Sequence, residues 1–253
     1  MGTRRPGRRG DYGVDGSFGR VPAPLQAAGI VGAIAGAGVY GALSLARGRR
    51  VRGALASTAA AALFGVQACY LYTTRAGKFG VWAELLDGLG LRGGERVLDL
   101  GCGRGAVLNA AAARVPQGRA VGVDLWHADQ SGNSPEATRR NARLEGVADL
   151  VDVLTADMTR LPFPDRSFDL VVSNLAIHNL PSAEGRRAAI EEAVRVLRAG
   201  GRLVLVDLWF TSQHAVRCRE LGLSQVRRWD VGWRMWLGGP WFPAHAVAGR
   251  RAT

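Results

Sequence analysis

The sequence predicts an α/β protein: a doubly wound, largely parallel sheet preceded by two long apolar helices. Three observations carry this. Val97 to Leu100 suits a buried strand and runs directly into glycines at Gly101, Gly103 and Gly105, after which Ala106 to Arg114 suits a helix. Further strands then recur at regular intervals. Val121-Gly-Val-Asp124 ends one, Ala156-Asp157-Met158 closes another, and Phe168 to Asn174 and Gly201 to Asp207 supply two more. Ahead of all these stand two uncharged stretches, Leu25 to Ala46 and Ala54 to Thr74.

Taken in order, residues Met1 to Arg20 are rich in glycine and arginine and predict a disordered basic tail, 1–20. A cleavable signal peptide fits poorly, because the first apolar run begins only at Leu25 and is too long. As a helix, the 22 residues from Leu25 to Ala46 would be about 33 Å long, enough for a hydrocarbon core of about 30 Å. Arg47-Gly-Arg-Arg-Val-Arg52 interrupts. The second run is richer in alanine, so it either spans or lies in the interface or on the domain that follows. Residues 21–78 are thus expected to be a membrane segment. Arg4, Arg5, Arg8, Arg9, Arg20, Arg75 and Lys78 flank the pair, against four arginines in the loop, so the remaining domain is expected to face the cytoplasm.

From Phe79 to the C-terminus the pattern is that of a water-exposed domain. Val81, Leu85, Leu86 and Leu89 fall at helical spacing. Ser134 as N-cap, Pro135 and Glu136 predict a helix reaching about Glu145, which leaves Trp126 to Asn133 as a loop. Glu184 to Leu197 and Ala215 to Leu221 read as helices, and Ser224 to Trp233 and Ala244 to Arg250 as an antiparallel C-terminal pair. Seven strands are therefore expected.

The formal charge is +12, but nine arginines and only two acids precede Gly53, which leaves +5 for the rest. A basic segment beside apolar runs favours an anionic lipid surface over nucleic acid. Cys69, Cys102 and Cys218 form no C-x-x-C, and the four histidines lack metal-ligand spacing, so neither disulfides nor a metal site are indicated.

The early third glycine distinguishes this loop from the G-x-G-x-x-G of dinucleotide folds. With Asp99 before it and Asp124 about 20 residues beyond, the block resembles the class I S-adenosylmethionine-dependent methyltransferases. Leu161-Pro-Phe-Pro-Asp165 followed by Ser167-Phe-Asp169 resembles their ubiquinone-biosynthesis branch. The resemblance implies a Rossmann-like sheet and S-adenosyl-L-methionine as cofactor. It places Asp99, Gly101, Gly103 and Gly105 under the methionine half, Asp124 on the ribose, and Asp157 and Met158 at the adenine. Leu125 and Trp126 would flank the ring, although Trp126 also reads as core and Asp157 as a turn carboxylate. Asn174 would offer a carbonyl or its side chain to the ammonium. His178 is either a base or a structural histidine, and Asp207 either orients substrate or caps the next helix. Asn174 is followed by Leu175-Ala176 rather than the Pro-Pro-aromatic run of base methylases, which speaks against nucleic acid.

The expected activity is methyl transfer to a small apolar or amphiphilic, lipid- or quinone-like acceptor by a membrane-anchored enzyme. The alternatives are a methyltransferase of soluble metabolites or RNA, or a membrane protein that binds the cofactor without catalysis. Trp209, Phe210, Trp233, Met235, Trp236, Trp241 and Phe242 either form an acceptor entrance or pack locally.

Overall fold

A computed structural model describes residues 8–16 and 19–252. It opens with a helical hairpin. Helices α1 (Ala23–Ala46) and α2 (Arg50–Tyr72) approach closely near their connecting loop, where a side-chain carbon at Gly41 or Gly53 would collide with Ser57 or Leu45. Elsewhere the hairpin is bare: Leu25, Val31, Leu55 and Phe64 are all more than 60% exposed. Both helices are long and apolar enough to cross a membrane.

The sequence places a boundary at residue 79, and the structure has no break there. A π turn (Thr73–Gly77) carries α2 directly into α3 (Lys78–Gly88). Thr73, Thr74, Gly77 and Lys78 are already buried in the α/β body. Gly77 packs so closely on Arg234 that any Cβ would sit 1.9 Å from its carbonyl oxygen.

The sheet has seven strands: β1 (Arg96–Leu100), β2 (Arg119–Asp124), β3 (Val151–Thr155), β4 (Phe168–Asn174), β5 (Leu197–Asp207), β6 (Leu223–Asp230) and β7 (His245–Arg251). Their order is β3-β2-β1-β4-β5-β7-β6, parallel through β5, with β7 antiparallel between β5 and β6. Successive side chains point to opposite faces, so each strand feeds two cores. Val97, Leu170 and Val172 pack with α3, α4 (Ala106–Ala112) and α5 (Pro135–Glu145). Leu98, Leu100 and Val171 pack with α6 (Ala183–Arg195) and α7 (Thr211–Glu220). Leu98, Leu100 and Leu108 are fully buried, and truncating any to alanine should cost about 2–5 kcal/mol.

Helix α5 occupies the predicted residues, and its Ser134 Oγ accepts a hydrogen bond from Ala137 N at 3.1 Å. Strand order reverses between β1 and β4, and in open α/β sheets the crevice beyond the strand ends at such a switch point is where ligands bind.

Candidate active site

A cavity opens beyond the carboxyl ends of β1, β2 and β4. Asp99, Gly101, Gly103, Asp124, Leu125, Asp157, Met158 and Asn174, all named from the sequence, line it. The glycine turn is sterically fixed. Gly101 has φ +69°, and a Cβ there would meet Ala176 Cβ at 2.3 Å. Gly103 has φ +49°, and its Cβ would strike Gln130 Oε1 at 2.4 Å.

Both oxygens of Asp124 are oriented by the backbone, Oδ2 by Gly103 N at 2.8 Å and Oδ1 by Trp126 N at 2.6 Å. A carboxylate has about four acceptor positions, so capacity remains for two hydroxyls. Asp99 is 1% exposed, and its Oδ1 has no hydrogen-bond partner. Burial, then the negative Asp124, pushes its pKa well above the usual carboxylate range. An unpaired buried carboxylate at a cavity wall suits the cationic end of a ligand. Beside it, burial and the same two carboxylates push the Cys102 thiol up, so it stays protonated and is no nucleophile.

The N-terminal segment also builds this site, which the sequence reading missed. Residues 8–16 lay within the expected disordered tail, yet they bind the domain as a strap; residues 1–7, 17 and 18 of that tail lie outside the described residues. Arg104 donates to Asp11 at 2.8 Å, and the Asn141 side chain donates to the Asp11 carbonyl at 2.7 Å. Tyr12 is 6% exposed against Phe79, with its hydroxyl 3.0 Å from Glu145. Burial raises its pKa, so the phenol keeps its proton. Asp15 meets Lys78 and Gln130 at the cavity wall. The one legible hint was that Tyr12, Asp11 and Asp15 stand out in a Gly/Arg-rich stretch.

A second cavity of about 370 Å³ adjoins the first, sharing Asp15, Asp129, Leu175 and Asn179 with it. Its other walls are Gly16, Tyr70, His178, Leu208, Trp209, Leu237 and Phe242, so strap, hairpin and catalytic body all contribute. Leu175, on the shared wall, sits at φ +53°, a conformation unusual for a leucine and held here by its N–H bond to Val206. Asp207 is 2% exposed, lines neither of these two cavities and does not cap α7. It grips His178 instead: Oδ1 takes the ring Nδ1 and Oδ2 the backbone N–H at 3.1 Å. With Nδ1 donating to a carboxylate, Nε2 is left as the proton acceptor.

A family model described as a methyltransferase domain matches residues 98–205. Residues 98–205 are thus a methyltransferase domain. The chain is 37% identical over 146 residues to the 27-O-demethylrifamycin SV methyltransferase of Amycolatopsis mediterranei, a match covering 54% of this chain and 50% of that one. It is 41% identical over 123 residues to the demethylmenaquinone methyltransferase of Beutenbergia cavernae, covering 48% of this chain and 44% of the relative. The chain thus spans about half the length of the relatives it matches. A solved S-adenosylmethionine-dependent methyltransferase from Aquifex aeolicus shares the fold, with a TM-score of 0.54 at 19% identity, over 67% of this chain and 88% of that one.

Within the methyltransferase domain several expected site residues stand elsewhere. Trp126 does not line the first cavity: its indole N–H donates to Thr155 Oγ1 at 2.7 Å, and its ring packs on the core. Gly105 caps α4 against Thr138 and also lies outside the cavity lining. Asn174 lines the cavity, but its side-chain oxygen accepts from Trp82 Nε1 at 2.7 Å, so that oxygen is committed to α3. Asp157 is a turn carboxylate at the cavity wall. Its Oδ1 accepts from Thr159 N at 2.8 Å. Of the aromatic set, Trp209 and Phe242 line the second cavity, Trp233 stacks on Tyr72, and Met235 is buried core.

Proposed function

We propose that the chain is a membrane-anchored methyltransferase that methylates a hydroxyl, phenolic or enolic group on a small apolar, lipid- or quinone-like acceptor. The observation that carries this is the pair of adjoining cavities: one lined by carboxylates, the other by Leu175, Leu208, Trp209, Leu237 and Phe242 with His178 at its wall. Relatives named for menaquinone and rifamycin precursors support an apolar, oxygen-rich acceptor.

The cofactor supplies an activated methyl group on a sulfonium. Asp124 is oriented to take the ribose hydroxyls with its spare acceptor positions. The second oxygen of Asp157 and the backbone at Met158 suit the adenine edge, and Leu125 its face. Asp99, with its unpaired buried oxygen, faces the cationic half. In the second cavity, His178 Nε2 would take the acceptor proton while Asp207 stabilises the resulting imidazolium and keeps the ring turned. The apolar walls exclude water and hold the acceptor in line.

Membrane anchoring rests on the two long apolar helices, and the cytoplasmic side on the cations at their outer ends. Full-length protein in lipid vesicles, given methyl-labelled cofactor and a panel of hydroxyquinones and polyphenols, should label the extractable apolar fraction. His178→Gln should lower turnover about 10²- to 10⁴-fold and leave cofactor affinity unchanged. Label found instead in RNA or protein would overturn the reading.

A further inference from the structure

We propose that Lys78 and Asp15 bind the amino-acid end of the cofactor, one residue coming from α3 and the other from the strap ahead of the hairpin. The inference rests on the methyltransferase reading above and adds to it a contact that the glycine turn does not provide.

The cavity lining is electrically lopsided. It carries Asp15, Asp99, Asp124, Asp129 and Asp157, while Lys78 is its one lysine or arginine. A ligand ending in both a carboxylate and an ammonium therefore meets several partners for its cation and a single partner for its anion. Lys78 is 1% exposed, and its ammonium lies 2.7 and 2.9 Å from the two Asp15 oxygens. A buried ammonium needs a counter-charge, and Asp15 meets that need until a ligand carboxylate arrives. A lysine has three N–H donors, so one remains after both Asp15 oxygens are served. Asp15 in turn offers its negative charge to the ligand ammonium. The four charges then alternate in sign, each beside its opposite.

The pair is also held in place from outside. Gln130 Nε2 donates to Asp15 Oδ1 at 2.9 Å, and the Tyr70 hydroxyl donates to the Asp15 carbonyl. Lys78 is set by the π turn that joins the hairpin to the domain. Asp15 borders the second cavity as well, so the same carboxylate forms part of the wall between cofactor and acceptor.

The competing explanation is an ion pair that only locks the strap to α3. Two ligands separate the cases: S-adenosylhomocysteine, and 5′-methylthioadenosine, which keeps the nucleoside and lacks the amino-acid end. Calorimetry on the full chain in detergent micelles should show Lys78→Met weakening S-adenosylhomocysteine about tenfold or more, with 5′-methylthioadenosine binding as to the unaltered protein. Asp15→Asn should weaken the same ligand selectively, and Lys78→Arg should retain most of its affinity. Equal losses for both ligands would reduce the pair to a structural lock, and no loss for either would remove it from the site. If Lys78→Met does not fold, the Asp15→Asn and Lys78→Arg proteins carry the same comparison. Should the unaltered protein bind neither nucleoside, the methyltransferase reading itself fails; binding of both with indifferent variants sinks this inference alone.

Discussion

Asp99 is held in the folded chain at a cost, since one of its oxygens is buried without a partner. Its raised pKa means that the free protein keeps a proton there at pH values where an ordinary carboxylate has lost it. In that window the folded state binds more protons than the unfolded one, so this group lowers stability as pH rises through it. A cation brought alongside favours the ionised form. Cofactor binding should therefore release a proton, and affinity should climb with pH between the bound and free pKa values. Binding enthalpies of S-adenosylhomocysteine measured in buffers of different ionisation heat should differ, and Asp99→Asn should erase the difference. Buffer-independent enthalpies in the unaltered protein would dispose of this role. The place of Asp99, Gly101, Gly103, Asp124 and Asn174 at the cavity was legible because it follows from strand ends and a few adjacent positions in the chain. The side-chain partners of Asn174 and Trp126 were not, because Trp82 and Thr155 are remote in sequence.

Among the elements, the strap departs furthest from what composition suggests. Glycine and arginine dominate it, so an averaged reading sees too little apolar surface to fold. Its order comes instead from polar contacts more than 90 residues away, with Arg104, Asn141 and Glu145, and from one well-buried ring, Tyr12. The helices and strands, by contrast, carry their own periodicity, and their boundaries were mostly readable. The join of α2 to α3 was hidden for a different reason: hydropathy marks no edge where one continuous helix passes from one surrounding to another. The strap borders the first cavity through Asp15 and is held mainly by side-chain hydrogen bonds, which makes it the wall most easily displaced. Deleting residues 1–16 from the full chain should speed S-adenosylhomocysteine release about tenfold, because a loss of about 1.4 kcal/mol of contacts suffices for that factor. Release followed with labelled ligand after dilution tests this, and an unchanged rate would mean the strap is no closure.

On the scale of the whole molecule, the hairpin leaves the domain from the same side as the two cavities. Cys69 and Thr73 reach the Trp236 carbonyl, Tyr72 stacks on Trp233 at 5.2 Å, and Tyr70 lines the second cavity. Trp209, Trp233 and Phe242, each more than 40% exposed, lie at that junction, and Trp241, also exposed, precedes Phe242 in the chain. Aromatic rings in such a position suit the headgroup layer of a bilayer. The full-length protein should therefore pellet with membranes and resist carbonate extraction. Trp241→Ala combined with Phe242→Ala should raise the apparent KM for a lipid-dissolved acceptor while cofactor affinity holds. A fall in melting temperature with weakened cofactor binding would instead make these residues packing elements.

The hairpin is fastened to the domain at both of its ends, by the strap before α1 and by the π turn after α2. Only six residues separate Gly16 from Ala23, a reach of at most about 25 Å for a fully extended chain. A single flexible leash would let a domain tumble and sample solution on all sides; two moorings do not. In the membrane reading, the enzyme keeps one face towards its own leaflet. Its search for an acceptor then becomes lateral diffusion in two dimensions, and the acceptor's partition into that leaflet, rather than its solubility in water, sets the rate of encounter.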